Sequence, residues 1–383
     1  MIPEALLGTG GMGVVYLARQ PALARSVALK SVAPEHHADA ALTGALVREA
    51  QVTGALEHPN IVPVYDIRRD EAGRPQIILR KIEGLEWGVL MEDAAELARR
   101  FDVGDPLEWH LRVLIQVCNG ISFAHSRGVL HRDLKPENVM IGAFGEVYIL
   151  DWGIAAGVVG TEGAALCGPP VEGEVAGTPG YMAPEMLEGD ASQQSPRTDV
   201  YLLGGLLHEI LVGEPPHVGD SLTEVVERTL AGVTDLPVDT PPTLARLCAR
   251  ALARDPDDRP ESAAAFRRAL ERYLRTRHVD RLMAEANARL AALERALARG
   301  GARGQDDHAI YNLFGQCRFG FQLALAASPG DKTARVGSRR AVEAMVRHEL
   351  QRDNAAAAAA FASGVELSSE LRARIDAQLA QAQ

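Results

Sequence analysis

A polar run, His131-Arg132-Asp133-Leu134-Lys135-Pro136-Glu137-Asn138, is followed thirteen residues after its end by Asp151-Trp152-Gly153. Between them, Val139-Met140-Ile141 and Glu146-Val147-Tyr148-Ile149-Leu150 flank Gly142 and Gly145, the pattern of two short strands joined by a tight turn. A hairpin brings its two ends together, so Asn138 and Asp151 are expected to meet at one edge of a cleft. Asp133 and Lys135 stand immediately before it. Any fold of this chain therefore has to gather two carboxylates, an amide and an ammonium on one rim. Amide and carboxylate oxygens are hard ligands of the kind that a small divalent cation prefers.

Together these runs resemble the H-R-D-x-x-x-x-N catalytic loop and the D-F-G metal loop of bacterial eukaryotic-type (Hanks-type) serine/threonine protein kinases. The resemblance implies transfer of the γ-phosphoryl of ATP, with Mg²⁺, or Mn²⁺ in its place, as cofactor. In that reading Asp133 orients the attacking hydroxyl and Lys135 neutralises charge on the moving phosphoryl. Asn138 and Asp151 hold the metal. His131 is a packing residue, and Trp152 fills the pocket that phenylalanine occupies in most of the family.

The N-terminal residues agree. Leu7, Gly8, Thr9, Gly10, Gly11, Met12, Gly13 and Val15 form a glycine-rich turn with apolar residues on both sides. Such glycines let backbone N–H groups approach phosphates. A strand follows the turn instead of a helix, which counts against a dinucleotide site. Val27-Ala28-Leu29-Lys30 is similar to the V-A-I-K strand, which implies ATP contacts from Ala28 and Lys30. A lysine facing inward on an apolar strand is costly to bury without anionic partners. Residues 39–57 read as a helix with Leu42, Leu46, Ala50, Thr53 and Leu56 on one stripe, and Glu49 lies on that stripe as the expected ion-pair partner of Lys30. Strands follow near Ile61–Asp66 and Gln76–Ile82. Arg80-Lys81-Ile82 aligns with the family's hinge, where two basic residues replace the usual acidic-aromatic pair; backbone groups hold adenine there, so ATP binding is expected to survive.

Trp109 to His125 reads as a long apolar helix with Cys118 in its core. Gly177-Thr178-Pro179-Gly180-Tyr181-Met182-Ala183-Pro184-Glu185 resembles the end of a Ser/Thr kinase activation segment, which implies that Thr178 bonds near Asp133 and Lys135 and that Glu185 pairs with Arg259. Arg132 before the catalytic aspartate implies a switch in which a phosphorylated loop residue neutralises it. Hydroxyls are scarce here. Thr161 is the one candidate before Thr178, and Cys167 to Ala176 holds no Ser or Thr. Glu172 and Glu174 could stand in for phosphate, or could belong to a flexible acidic loop. Asp199 opens a buried helix through Val212 and is expected to bond the catalytic-loop backbone. Further helices are expected at Leu222–Ala231, Leu244–Ala253 and Ser262–Thr276.

The 383 residues suffice for more than one domain. A net charge of −11 argues against nucleic acid or an anionic membrane as main partner. Cys118, Cys167, Cys248 and Cys317 lack C-x-x-C spacing and read as reduced thiols. No apolar run reaches the length of a bilayer span, and the start lacks a basic segment before an apolar core, so a cytoplasmic protein without secretory leader is expected.

The expected fold is α+β and two-lobed. Residues 1–82 form an antiparallel sheet plus one helix, residues 83–276 a mainly helical lobe. An all-α extension follows: a helix and Gly-rich linker over 277–305, then a helical region over 306–383. In that region Phe314 to Leu325, the Ser328-Pro329-Gly330-Asp331 exit and a helix from Ala334 look like part of a tetratricopeptide unit; a helical bundle without repeat ancestry fits equally. Docking, localisation and autoregulation of the kinase are all open for this tail, including a protein partner. The expected activity is phosphorylation of protein Ser/Thr hydroxyls, the chain's own among them. The alternative is an ATP-binding pseudokinase scaffold, whose usual mark, loss of a catalytic group, is absent from the sequence.

Overall fold

A computed structural model describes residues 2–9, 13–232, 236–299 and 307–381. The chain divides into two compact units, Met1–Glu271 and Arg272–Gln383.

The first unit opens with strands β1 (Ile2–Thr9), β2 (Gly13–Gln20) and β3 (Arg25–Val32), then helix α1 (Ala40–Ala55), then β4 (Val64–Arg69) and β5 (Pro75–Arg80). The strands form one antiparallel sheet in the order β1-β2-β3-β5-β4. Period-two alternation in β3 explains its two faces. Val27 and Leu29 pack with Ala18 and Ile78 on one side. On the other, Val32 and Ile77 meet Leu46 and Ala50 of α1. Asp39 starts that helix by accepting from the N–H groups of Ala41 and Leu42. The expected lobe of one sheet and one helix is therefore present.

The rest of this unit is mostly helical. Strand β6 (Gly84–Glu86) leads into α2 (Trp87–Glu92), α3 (Ala94–Phe101) and α4 (Pro106–Ser126). Short strands follow: β7 (Val129–Leu130), β8 (Val139–Gly142), β9 (Val147–Ile149) and β10 (Ala156–Gly157). Next come α5 (Glu162–Cys167), α6 (Pro184–Leu187), α7 (Pro196–Val212), α8 (Leu222–Ala231), α9 (Pro242–Ala251) and the start of α10 (Ala263–Arg299). Helix α7 is apolar around most of its circumference and is buried from Thr198 to His208. A reciprocal Ser195–Thr198 capping box begins it, and Gly213 ends it at φ 89°. Gly204 lets α9 come close: a Cβ there would stand 2.7 Å from that of Ala251. Cys118 is fully buried on α4.

Three departures from expectation concern helices. α2, α3 and α5 carried too few turns to show a period in the sequence. Helix α9 begins and ends two residues earlier than expected, since Pro241-Pro242 supplies its start. The helix expected to stop at Thr276 instead continues as α10 to Arg299, because Arg275-Thr276-Arg277-His278 contains no glycine, proline or cap to stop it.

In the second unit, α11 (Asp307–Ala327) and α12 (Lys332–Gln351) are joined by the Ser328-Pro329-Gly330 turn, and Asp331 caps α12. α13 (Ala355–Ala362) and α14 (Ser369–Gln381) follow. Phe314, Cys317 and Phe321 of α11 pack with Val342, Met345 and Leu350 of α12 and with Leu290 and Leu293 of α10. Gly337 is required there, since a Cβ would lie 2.4 Å from the Phe321 ring. Buried Glu349 accepts from the Tyr311 hydroxyl at 2.7 Å and from Asn354 Nδ2 at 2.8 Å. The expected Gly-rich linker, Gly300–Gly304, lies outside the described residues. Among the described residues no helix is long and apolar enough to cross a membrane.

Candidate active site

Backbone geometry assembles the rim before any side chain does. Strands β8 and β9 pair with Val139 opposite Ile149, and Leu150 N–H donates to the Asn138 carbonyl at 2.8 Å. Asn138 and Asp151 thus leave one end of the hairpin side by side, as its spacing requires. Asp199, fully buried at the start of α7, accepts from the N–H groups of His131 and Arg132, both at 2.9 Å, and from His125 at 2.8 Å. Burial opposes its charge, yet these donors hold its carboxyl below the usual range. Its expected role in pinning the loop backbone is observed. His131 is wholly buried, contacts the Leu150 carbonyl at 3.0 Å and leans on Trp152 at 4.6 Å between ring centres. It is a packing residue, as expected.

Asp133 sits at the centre of a small network. Its Oδ1 accepts from the Thr178 hydroxyl at 2.7 Å and its Oδ2 from Asn138 Nδ2 at 3.0 Å. Lys135 Nζ donates to Thr178 Oγ1 at 2.8 Å and stands 3.5 Å from Asp133 Oδ2. Asn138 Nδ2 also donates to the Asp133 carbonyl at 2.7 Å, which commits the nitrogen and leaves the amide oxygen as a hard acceptor.

From the sheet, Lys30 reaches Glu49 of α1 at 2.6 Å and Asp151 at 3.7 Å. Burial pulls the Lys30 ammonium down, but the two carboxylates more than offset this and its pKa lies above the ordinary value. Burial pushes Glu49 up. Asp151 is also opposed by burial, yet Lys30 and the Gly153 N–H hold it below the usual carboxylate range. The Glu49 partner inferred from the apolar stripe is thus in place.

Among the phosphate-loop residues, Leu7, Gly8 and Thr9 close β1 while Gly13 and Val15 open β2, with Gly8 opposite Val15 and Val15 opposite Lys30. A Cβ at Gly13 would meet the Ser31 carbonyl at 2.6 Å, so the close strand approach requires glycine. Ala28 is buried on β3 between Leu17 and Leu79. Gly10, Gly11 and Met12 lie outside the described residues. Arg80, at the hinge, lies over the Tyr148 ring at 5.2 Å, and Lys81 pairs with Glu83 at 2.9 Å.

Glu185 and Arg259 form a buried bidentate pair at 2.7 and 2.8 Å. The remaining Arg259 donors reach the carbonyls of Ala253, Arg197 and Arg254, and Thr198 donates to Glu185. Every charge of that pair is satisfied. Thr161 stands just before α5, its hydroxyl donating to the Val158 carbonyl at 2.6 Å, with the Gly128 carbonyl at 3.4 Å. Arg132 instead takes Glu174, at 2.8 Å. Sequence reasoning passed over Asn60, whose buried Nδ2 donates to the Val147 carbonyl at 3.1 Å and ties the region after α1 to β9. Only the fold brings those two residues together.

Among the described residues no group of three or more His, Cys, Asp or Glu forms an all-protein metal cage. Asp151, held below the usual carboxylate range, and Asn138, whose amide nitrogen is already bonded, are instead hard oxygen donors from one end of the hairpin, of the kind that suits a divalent cation shared with phosphates. The residues fit that ion.

The protein kinase domain family matches residues 2–270. Over 291 residues the chain is 34% identical to the serine/threonine-protein kinase PknD of Chlamydia trachomatis serovar D, covering 70% of this chain and 31% of that protein. The PknD proteins of Chlamydia caviae (33%) and Chlamydia abortus (34%) match over the same 70% of this chain and 30% of their own length. The chain therefore spans less than a third of the length of these curated relatives.

Proposed function

The chain belongs to the protein kinase domain family, and we propose that it is a serine/threonine protein kinase that transfers the γ-phosphoryl of ATP to protein Ser/Thr hydroxyls, its own included. The observation that carries this reading is the Lys135–Thr178–Asp133 network. It brings the Asp133 carboxylate, the Lys135 ammonium and the Thr178 hydroxyl within hydrogen-bond reach of one another, which supports a general base and a cation at the end of the activation segment.

Each residue then has a part. Lys30, held by Glu49, binds the α- and β-phosphates as a fixed cation. Gly8 on β1 and Gly13 on β2 would bring backbone N–H groups to them. Asp133 accepts the proton of the substrate hydroxyl and orients its oxygen for in-line attack. Lys135 offsets the negative charge of the moving phosphoryl. Asn138 and Asp151 would hold Mg²⁺, which neutralises phosphate charge when bound. Lys135 hydrogen-bonded to Thr178 supports Ser/Thr over tyrosine acceptors. Residues 1–276 are the catalytic domain in this reading. The helical tail, whether tetratricopeptide-like or a plain bundle, serves docking to a protein partner, localisation or autoregulation of the kinase. The unpaired thiols fit a cytoplasmic location.

The test is incubation of the full chain with Mg-ATP and a generic basic protein, with Asp133→Asn alongside, followed by mass spectrometry. Phosphoserine or phosphothreonine from the wild type alone is the expected result, with the variant slower by about 10² to 10⁴-fold. ATP binding without any transfer would instead indicate a scaffold.

A further inference from the structure

Arg132 directly precedes the catalytic aspartate and is almost wholly buried, at 3% exposure. Its backbone is held in the left-handed region at φ 71°, with its N–H on Asp199 at 2.9 Å. A buried guanidinium in that position needs an anion, because an uncompensated charge there opposes the packed loop. The anion present is the carboxylate of Glu174, 42 residues away in sequence, at 2.8 Å.

The segment that delivers Glu174 is anchored at Glu174 and the two residues before it. Gly173 N–H donates to the Gly189 carbonyl at 2.9 Å, Glu174 N–H to the Val171 carbonyl at 3.1 Å, and Glu172 accepts from the Ala191 N–H at 3.1 Å. No residue from Cys167 to Ala176 carries a hydroxyl, so nothing in the stretch that meets Arg132 can be phosphorylated on Ser or Thr. Thr161 has its hydroxyl committed to a carbonyl elsewhere.

We infer that Glu174 is a positioning residue for catalysis, a permanent carboxylate that holds Arg132, and through it the Asp133 loop, in working geometry without phosphorylation of the activation segment. This rests on the kinase reading above and adds to it that the enzyme is poised as synthesised. A carboxylate carries less charge than a phosphate, but a single short contact from one nitrogen of the buried Arg132 guanidinium to Glu174, whose side chain is 43% exposed, is what the site offers. Glu172, two residues away, bonds the Ala191 N–H and so holds the segment without being the partner of Arg132.

The experiment compares initial rates of the full chain before and after phosphatase treatment, then those of Glu174→Ala, Glu174→Gln, Glu174→Asp and Glu172→Ala. Thermal melts identify any variant that fails to fold, and the near-isosteric Glu174→Gln carries the test if Glu174→Ala does so. Phosphatase-treated wild type is expected to start without a lag. Loss of the carboxylate should lower kcat by about tenfold with KM for ATP changed by less than about twofold. Glu174→Asp should recover part of the loss, and Glu172→Ala, which loosens the segment but keeps the carboxylate on Arg132, should cost less than Glu174→Ala. In an Arg132→Ala background, Glu174→Ala should add nothing, since both act through one contact. The inference is overturned if Glu174→Ala and Glu174→Gln match the wild type, or if the losses at 132 and 174 multiply. A lag in treated enzyme that clears as phosphate enters Thr161 would overturn it too. A wild type that binds ATP and transfers nothing rejects the kinase reading itself, whereas an active wild type matched by both Glu174 variants rejects only this inference.

Discussion

The hydroxyl of Thr178 donates to Oδ1 of Asp133 at 2.7 Å while accepting from Nζ of Lys135 at 2.8 Å, across 45 and 43 residues of intervening sequence. One side chain thereby bridges the Asp133 carboxylate and the Lys135 ammonium. Thr178→Val keeps the shape and removes both bonds. It should lower kcat by about a hundredfold, the scale of a misplaced catalytic group, with ATP affinity little changed. Thr178→Ser should restore most of the rate. Steady-state kinetics with a generic basic substrate would check this, and equal rates for Val and wild type would refute it.

Lys30 is clamped between Glu49 and Asp151 at 2.6 and 3.7 Å. Lys30→Met removes the cation between these carboxylates and should reduce kcat/KM on the order of a hundred to a thousandfold. Glu49→Gln should act in the same direction but less, because a neutral amide can still hold the ammonium in place. Calorimetric titration with Mg-ATP would separate lost binding from lost chemistry.

Removing one half of a buried, fully bonded ion pair leaves the other half stranded. Arg259→Ala should therefore destabilise the kinase unit by about 3–5 kcal/mol in urea unfolding, with Glu185 left buried and unpaired. A loss below about 1 kcal/mol would mean that water reaches the site.

Glu209 accepts from the Tyr181 hydroxyl at 2.6 Å, and burial pushes its carboxyl up to about 7, with Glu137 and Glu92 adding to the rise. A raised carboxylate favours the folded state while protonated. Its contribution is complete below the ordinary carboxylate pKa and is lost as pH rises through about 7. The melting temperature should accordingly fall between about pH 5 and about pH 8, and Glu209→Gln, which still accepts from Tyr181, should flatten that slope. Melts at the two pH values for both proteins would settle it; parallel slopes would show that Glu209 is not the source.

Much of the site could be read before the fold was known, and the reason differs from residue to residue. Asn138 and Asp151 were legible because a hairpin of fixed length forces its ends together. Glu49 was legible because a helical stripe specifies which side chains face inward. Glu185 and Arg259 were legible only through resemblance, since nothing local links residues 74 positions apart. Helix α5 and the tie from Asn60 to β9 were not legible at all. One is too short for periodicity to register, and the other depends on a loop and a strand distant in sequence meeting in space.

The sequence by itself determined the chemistry: which carboxylates, amide and lysines are present, and at what spacing along strands and helices with set periods. The tertiary structure decided partnership. Arg132 could have awaited a phosphate on Thr161 or met an acidic residue further on, and the choice of Glu174 followed from the path of the activation segment. That path is held by the Gly173 N–H on the Gly189 carbonyl and by the Glu172 carboxylate on the Ala191 N–H. Contacts of this kind depend on where distant segments come to rest, and the order of residues along the chain carries no local signal of it.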